Sequence, residues 1–279
     1  MSTEGAEGSR PGRGVSRLPR RLQRGAYLLP SLFTIGNILM GFYAIVLGLR
    51  AAGLVETPDR APRFGFDVAA LLVFVAGILD ALDGRIARMV GTESDFGKEY
   101  DSLADVFTFG ATPALLTYLW GLSEWGRVGW LVPFFFLVCT ATRLARFNVQ
   151  TKVVDARYFV GLPTPAAAGV ICSFLFFIPI LELDSTWRIW IQILMLVSLL
   201  LAGLLMVSTF RYHSFKKLDL RQRWSYRAFV PIAAVILVLA FEPRATFLVL
   251  SFLYAISGPL AYLVSRVRRP KGELPPEPA

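Results

Sequence analysis

Of the five aspartates in the stretch DALDGRIARMVGTESDFGKEYDSLAD, four stand in two helically spaced pairs: Asp80, Asp83, Asp101 and Asp105. On helices, residues three or four apart share a face, so Asp80 and Asp83 form one carboxylate pair and Asp101 and Asp105 a second. Carboxylates brought this close repel unless a cation sits among them. Oxygen-only ligands select hard divalent ions (Mg²⁺, Mn²⁺ or Ca²⁺) over zinc, and two such ions can clamp a diphosphate during in-line displacement. The competing arrangement is a purely structural network in which Arg85, Arg88 and Lys98 pair with the acids.

The neighbouring residues say how the pairs must be held. Gly91 suits a helix end, and Thr92 or Ser94 suits the cap of the next helix, which predicts two antiparallel helices joined by a tight turn. At 1.5 Å per residue, Asp83 and Asp80 stand about 12 and 16 Å up from Gly91, and Asp101 and Asp105 about 10 and 16 Å from Ser94. The two pairs therefore meet at matching heights. Gly84 and Ala87 leave room for a ligand beside the acids, although either one taken singly also serves close helix packing.

The rest of the chain is membrane-like. Of its 279 residues 55% are hydrophobic and only 18% charged, which predicts an all-α, polytopic helix bundle rather than a soluble domain. Eight apolar spans are expected, near 27–49, 66–90, 95–120, 128–149, 162–181, 187–209, 228–241 and 245–265, the seventh short enough to be an interfacial hairpin instead. With both termini cytoplasmic, every Lys and Arg falls on the inner side except Arg50, Arg60, Arg63, Arg127, Arg188 and Arg244. The net charge of +9 is thus a topology signal that also attracts anionic lipid head groups, and nucleic-acid binding is not needed to explain it. Residues 1–26 read as a disordered basic arm, 27–268 as one membrane domain and 269–279 as a disordered tail.

In this frame the aspartates lie at the inner part of the bilayer, where an acidic residue must face protein or water and is functional by default. Four of them shift the balance from a structural network to a site. Asn37, inside the first apolar helix, needs a partner, either another helix or a ligand. Arg143, Arg146 and Asn148, in the segment TRLARFN, end the fourth span near the level of the turn; they serve as positive-inside anchors or as an anion grip. The segment GLPTPAAAG reads as a proline-initiated helix with small packing residues. Cys139 and Cys172 read as buried small apolar residues, and His213 as a surface or interfacial one.

Asp80, Asp83, Gly84, Ala87, Arg88, Gly97, Asp101 and Asp105 match D-x2-D-G-x2-A-R-x8-G-x3-D-x3-D without a gap or substitution. The chain thereby resembles the CDP-alcohol phosphotransferases, and eight specified positions make the match specific. The resemblance implies transfer of a substituted phosphate from a CDP-linked donor to an alcohol, with CMP leaving. It implies two divalent cations, Mg²⁺ or Mn²⁺, held by Asp80, Asp83, Asp101 and Asp105, with Asp105 also the base. Gly84, Ala87, Arg88 and Gly97 then fall in the CDP-lipid site, Gly84 and Ala87 against the cytidine and Arg88 near the phosphates, with Asn37 a further candidate.

TRLARFN and GLPTPAAAG look like the branch of that family that joins L-serine to the phosphatidyl group of CDP-diacylglycerol. On that likeness Arg143, Arg146 and Asn148 are the candidate serine-binding residues. The family also implies a homodimer in the cytoplasmic (inner) membrane, with the site facing the cytoplasm. Two alternatives stay open. One is a relative that uses glycerol 3-phosphate, inositol phosphate or choline, whose phosphate-bearing acceptors want a denser basic pocket. The other is a cation transporter, whose acids should be spread across membrane depth rather than gathered at one turn.

Overall fold

A computed structural model describes residues 20–55, 65–90, 95–150, 158–178, 184–213, 233, 237–238 and 240–267. The basic arm up to residue 19, the turn at Gly91 to Ser94, most of the seventh span and the tail lie outside the described residues. The chain forms a helical bundle: α1 (Arg20–Ala51), α2 (Phe66–Val90), α3 (Asp95–Asp105), α4 (Thr112–Trp120), α5 (Gly126–Gln150), α6 (Thr164–Phe177), α7 (Ser185–Val207) and α8 (Pro243–Val267). Helix α1 begins within the stretch expected to be an unstructured arm. Arg, Leu and Gln are good helix formers, so RRLQR extends the apolar helix instead of interrupting it.

The protein is an integral membrane protein. Among the described residues four segments are long and apolar enough to cross a bilayer: Leu32–Ala51, Leu122–Val149, Thr186–Val207 and Pro243–Val264. Their outward faces carry large apolar side chains, such as Leu39 and Phe42 on α1, Trp190 and Leu201 on α7, and Leu253 and Leu260 on α8. In lipid such a surface costs nothing, and the inward faces pack on small or apolar residues instead. Helix α6 is shorter than the expected span, and its residues are almost all buried among α2, α7 and α8. Its core includes Cys172, while Cys139 is buried on α5; both are free thiols, in keeping with their expected packing role.

Between α3 and α4 the expected single span contains a π-helical turn, Val106–Ala111, immediately after Asp105. The backbone N–H of Thr112 bonds Phe107 O, five residues back, and the Thr112 hydroxyl donates to the same carbonyl at 3.1 Å. Pro113 supplies no N–H to restore the ordinary ladder. The widened turn lies against α1, where Thr108 donates to Asn37 O at 3.2 Å and Thr112 to Gly41 O at 3.4 Å.

Both ends of the bundle are fixed. At the end away from the aspartates, Arg244 of α8 pairs with Asp67 of α2 at 2.9 Å and lies over the Phe176 ring of α6. There too, Gln192 of α7 accepts from Trp125 Nε1 at 2.9 Å and donates to Gly121 O at 3.1 Å. At the aspartate end a short antiparallel ribbon joins β1 (Tyr158–Val160) to β2 (Arg211–His213), with Phe159 opposite Tyr212. Gly161 leaves the ribbon at φ 78, a backbone that favours glycine, and its N–H bonds Phe210 O at 2.8 Å. The entry to α6 is thus held against the end of α7, and Tyr212 anchors it to α8 through a bond to Ala255 O at 3.0 Å.

Gly41 sets how closely α1 meets the π turn. A Cβ there would stand 2.9 Å from Thr108 Oγ1 and 3.2 Å from Thr108 Cα. We expect Gly41→Val to cost about 1–3 kcal/mol of overpacking, read as a lower midpoint for thermal unfolding in detergent. An unchanged midpoint would mean that α1 and the π turn are not in this close contact.

Candidate active site

The site forms where α2 and α3 run side by side. Asp80 lies on α2, with Asp101 and Asp105 one turn apart on α3, and each offers a carboxylate oxygen within 4.8 Å of the others. The π turn starting at Val106 follows directly and sets the path of the chain beyond Asp105. Asp105 is 9% exposed, and its Oδ1 has no hydrogen-bond partner among the described residues.

Oxygens on opposite sides of a bound Mg²⁺ or Ca²⁺ ion stand about 4–5 Å apart, so this trio already spans a hard cation. The donor set fits such an ion: carboxylates only, one of them with a buried oxygen that nothing else satisfies. Asp83 lies on α2 three residues beyond Asp80, as do Ala87 and Arg88 further on; their side chains are outside the described residues. Gly84 is half-buried on α2, and Gly97 is half-buried on α3 one turn before Asp101.

Two further helices, α5 and α1, carry buried polar residues near α3 and the π turn. Arg143 of α5 is 9% exposed and interacts electrostatically with both Asp105 and the Tyr254 phenol of α8. One guanidinium nitrogen donates to Thr164 Oγ1 at 2.6 Å, while Nε is buried without a partner among the described residues. On α1, Asn37 is 1% exposed, and neither its amide nitrogen nor its amide oxygen has a partner among the described residues. Its own carbonyl takes the Thr108 hydroxyl, one turn along from Asp105. Asp105 and Arg143, which interact electrostatically, thus each carry an unsatisfied buried polar atom among the described residues, and Asn37 carries two more on α1 next to the π turn.

The structure separates the three residues of TRLARFN. Arg143 donates to Thr164 and interacts electrostatically with Asp105, whereas Arg146 donates to Val207 O at 3.2 Å, at the last turn of α7. Asn148 reaches α3 from the side, donating to Ser102 Oγ at 3.0 Å and to Glu99 Oε2 at 3.4 Å. Sequence reasoning did not single out Thr164 or Tyr254. The motif containing Thr164 carried the signal for it, while Tyr254 sits in an apolar helix whose sequence gives no hint of it.

Beside the acids, an open cavity of about 450 Å³ runs between α2, α6 and α8. Its lining includes Gly77, Ala81, Arg85, Pro165, Gly169 and Phe247, so it is apolar with one cationic head. Asp80 lies between Gly77 and Ala81 on the same stretch of α2, which puts the cavity and the carboxylates on neighbouring faces of one helix.

The profile of the CDP-alcohol phosphatidyltransferase family matches residues 27–204. The chain is 35% identical over 245 residues to the CDP-diacylglycerol–serine O-phosphatidyltransferase of Helicobacter pylori strain J99, covering 87% of this chain and 94% of that protein. An enzyme of the same name from Methanocaldococcus jannaschii is 35% identical over 193 residues, with 69% and 83% covered. The one from Mycobacterium tuberculosis strain H37Rv is 41% identical over 155 residues, with 53% and 49% covered.

An acid cluster that needs a cation should be unstable without one. In chelator, Asp101→Asn is expected to unfold at a higher temperature than wild type, because one of three mutually repelling charges is gone. With saturating Mn²⁺ the order should reverse, since a ligand that binds only the folded form stabilises it by about 2.7 kcal/mol at a hundred times its Kd. A wild type indifferent to Mn²⁺ would leave the cluster a structural network.

Proposed function

Since this chain belongs to the CDP-alcohol phosphatidyltransferase family and is a phosphotransferase of the membrane, we propose that it transfers the phosphatidyl group of CDP-diacylglycerol to L-serine, giving phosphatidylserine and CMP. The observation that carries this reading is the carboxylate trio, whose oxygens lie within 4.8 Å of one another, with a buried arginine, Arg143, in electrostatic interaction with Asp105. The names of the relatives support serine as the acceptor. A conduit for cations fits less well, because the acids gather at one level on two helices rather than along a path.

In this reading Asp80, Asp83, Asp101 and Asp105 hold two divalent cations, Mg²⁺ or Mn²⁺. Bound there, the ions neutralise charge on the diphosphate and on the departing CMP. Serine's hydroxyl attacks the phosphorus that bears the lipid, forming a new P–O bond. The bond from that phosphorus to the CMP oxygen breaks, and CMP leaves with its electron pair. The hydroxyl proton passes to an Asp105 oxygen, the buried Oδ1 being available for it.

The guanidinium of Arg143 grips serine's carboxylate, a planar match of two oxygens to a two-nitrogen fork. Arg146 and Asn148 serve the acceptor by holding α5 against α7 and α3. The cytidine lies along Gly84 and Ala87, with Gly97 opposite and Arg88 near the phosphates, and Asn37 offers its two free amide atoms to the donor head group. An acyl tail of the donor fits the apolar cavity beside α2, its phosphate end toward Arg85. The reading includes a homodimer in the cytoplasmic membrane with the site on the cytoplasmic side, where the charge bias of the loops points.

The test gives the purified protein CDP-diacylglycerol with Mn²⁺ and compares serine, glycerol 3-phosphate and inositol phosphate. CMP release with serine alone is expected, and Asp105→Asn should reduce it by about 10²-fold or more while eluting as folded protein. Release with a phosphate-bearing acceptor and not with serine would move the chain to another branch of the family.

A further inference from the structure

Among the described residues the Arg143 guanidinium makes a hydrogen bond to a side chain outside the family signature and outside the acid cluster. Thr164 is fully buried and accepts from the Arg143 guanidinium at 2.6 Å. Its position is fixed from three sides. Pro163 precedes it at φ −58 and ψ 139, Pro165 follows it, and the two together lock the backbone on either side of the first residue of α6. Thr164 is β-branched, which restricts its side-chain torsion. The chain just before it is tied to α7 by Leu162 N to Leu205 O at 3.0 Å and to the segment after α7 by Gly161 N to Phe210 O at 2.8 Å.

An arginine side chain has many rotamers open to it. On α5 alone, Arg143 could swing toward any of the three carboxylates and form a plain ion pair with Asp105. Here one nitrogen is held by Thr164, so the planar head has a set orientation, Nε stays unpartnered, and Asp105 keeps an oxygen free. The Tyr254 phenol of α8 also interacts with the guanidinium. The arginine is thereby turned into a fixed fork and kept from collapsing onto the acid beside it.

We infer that Thr164 is a positioning residue for the acceptor: its hydroxyl oxygen sets the Arg143 guanidinium at the angle that receives the acceptor's carboxylate. It does not touch the reacting atoms. The inference rests on the reading of Arg143 as the acceptor's grip, and it explains why the GLPTPAAAG segment places threonine between two prolines at a helix start.

The experiment measures steady-state CMP release by the full-length protein, varying serine and CDP-diacylglycerol separately. Thr164→Val keeps the shape and removes the acceptor oxygen; Thr164→Ser keeps the oxygen. The expected result for Thr164→Val is a serine KM raised about tenfold or more, in line with losing one hydrogen bond to a charged group, and a donor KM within about twofold of wild type. Thr164→Ser should restore the serine KM. If Thr164→Val does not fold, Thr164→Ala takes the same reading, and failure of both to fold overturns the inference by making the hydroxyl a requirement of the fold. An unchanged serine KM, or equal rises in both KM values, also overturns it. Should wild type use another acceptor and ignore serine, the functional reading fails separately, and the same KM comparison with that acceptor still decides the role of Thr164.

Discussion

Three carboxylates with oxygens within 4.8 Å of one another, one of them almost wholly buried in a lipid-wrapped bundle, impose a constraint that the surrounding structure has to meet. Like charges at such distances repel by roughly a few kcal/mol at the effective dielectric of a protein. Packing alone cannot absorb that. Either the cluster is neutralised by cations or the helices that carry it must be held together by contacts elsewhere, and the molecule shows the second while being shaped for the first. The far end of the bundle is tied by Arg244 with Asp67 and by Gln192 with Trp125. The near end is tied by the ribbon and by Tyr212 on α8. Helix α2 is thus anchored through Asp67, and α3 is held to α5 by the bond of Asn148 to Ser102.

The same constraint explains the placing of small residues and threonines. Gly41 brings α1 up to the π turn, and Thr108 and Thr112 give their hydroxyls to α1 carbonyls. These are polar contacts between helices in a setting where apolar burial supplies little drive for association. A π turn is an uncommon irregularity, and it begins one residue past Asp105. Arg143 supplies the single cation from this chain that faces Asp105 among the described residues, and Thr164 keeps it from neutralising the acid outright.

Much of the acid cluster was legible in the sequence, because helical periodicity and rise are the same in every helix. The heights computed from Gly91 and Ser94 bring Asp80 level with Asp105, and these residues do converge with Asp101. The burial of Cys139 and Cys172 followed from their apolar neighbours. The π turn was not legible: 95–120 reads as one apolar span, and only the pairing of Thr112 with Pro113 hints that the ladder changes register. The separate destinations of Arg143, Arg146 and Asn148 were not legible either. Their types and spacing are equally suited to an anion grip, and what divides them is the rotation of α5, fixed by packing against α7 and the π turn. Thr164 and Tyr254 come from helices remote in sequence, so no local pattern connects them to Arg143.

The account turns on the acid cluster being a cation site rather than a charged packing motif. The most direct measurement is a Mn²⁺ titration of the purified protein followed by electron paramagnetic resonance, with and without CDP-diacylglycerol. The account predicts that the signal of free Mn²⁺ disappears as the protein is added and that the donor tightens binding, with the loss abolished in Asp80→Asn. A free-ion signal unchanged by wild-type protein, with or without the donor, would contradict it.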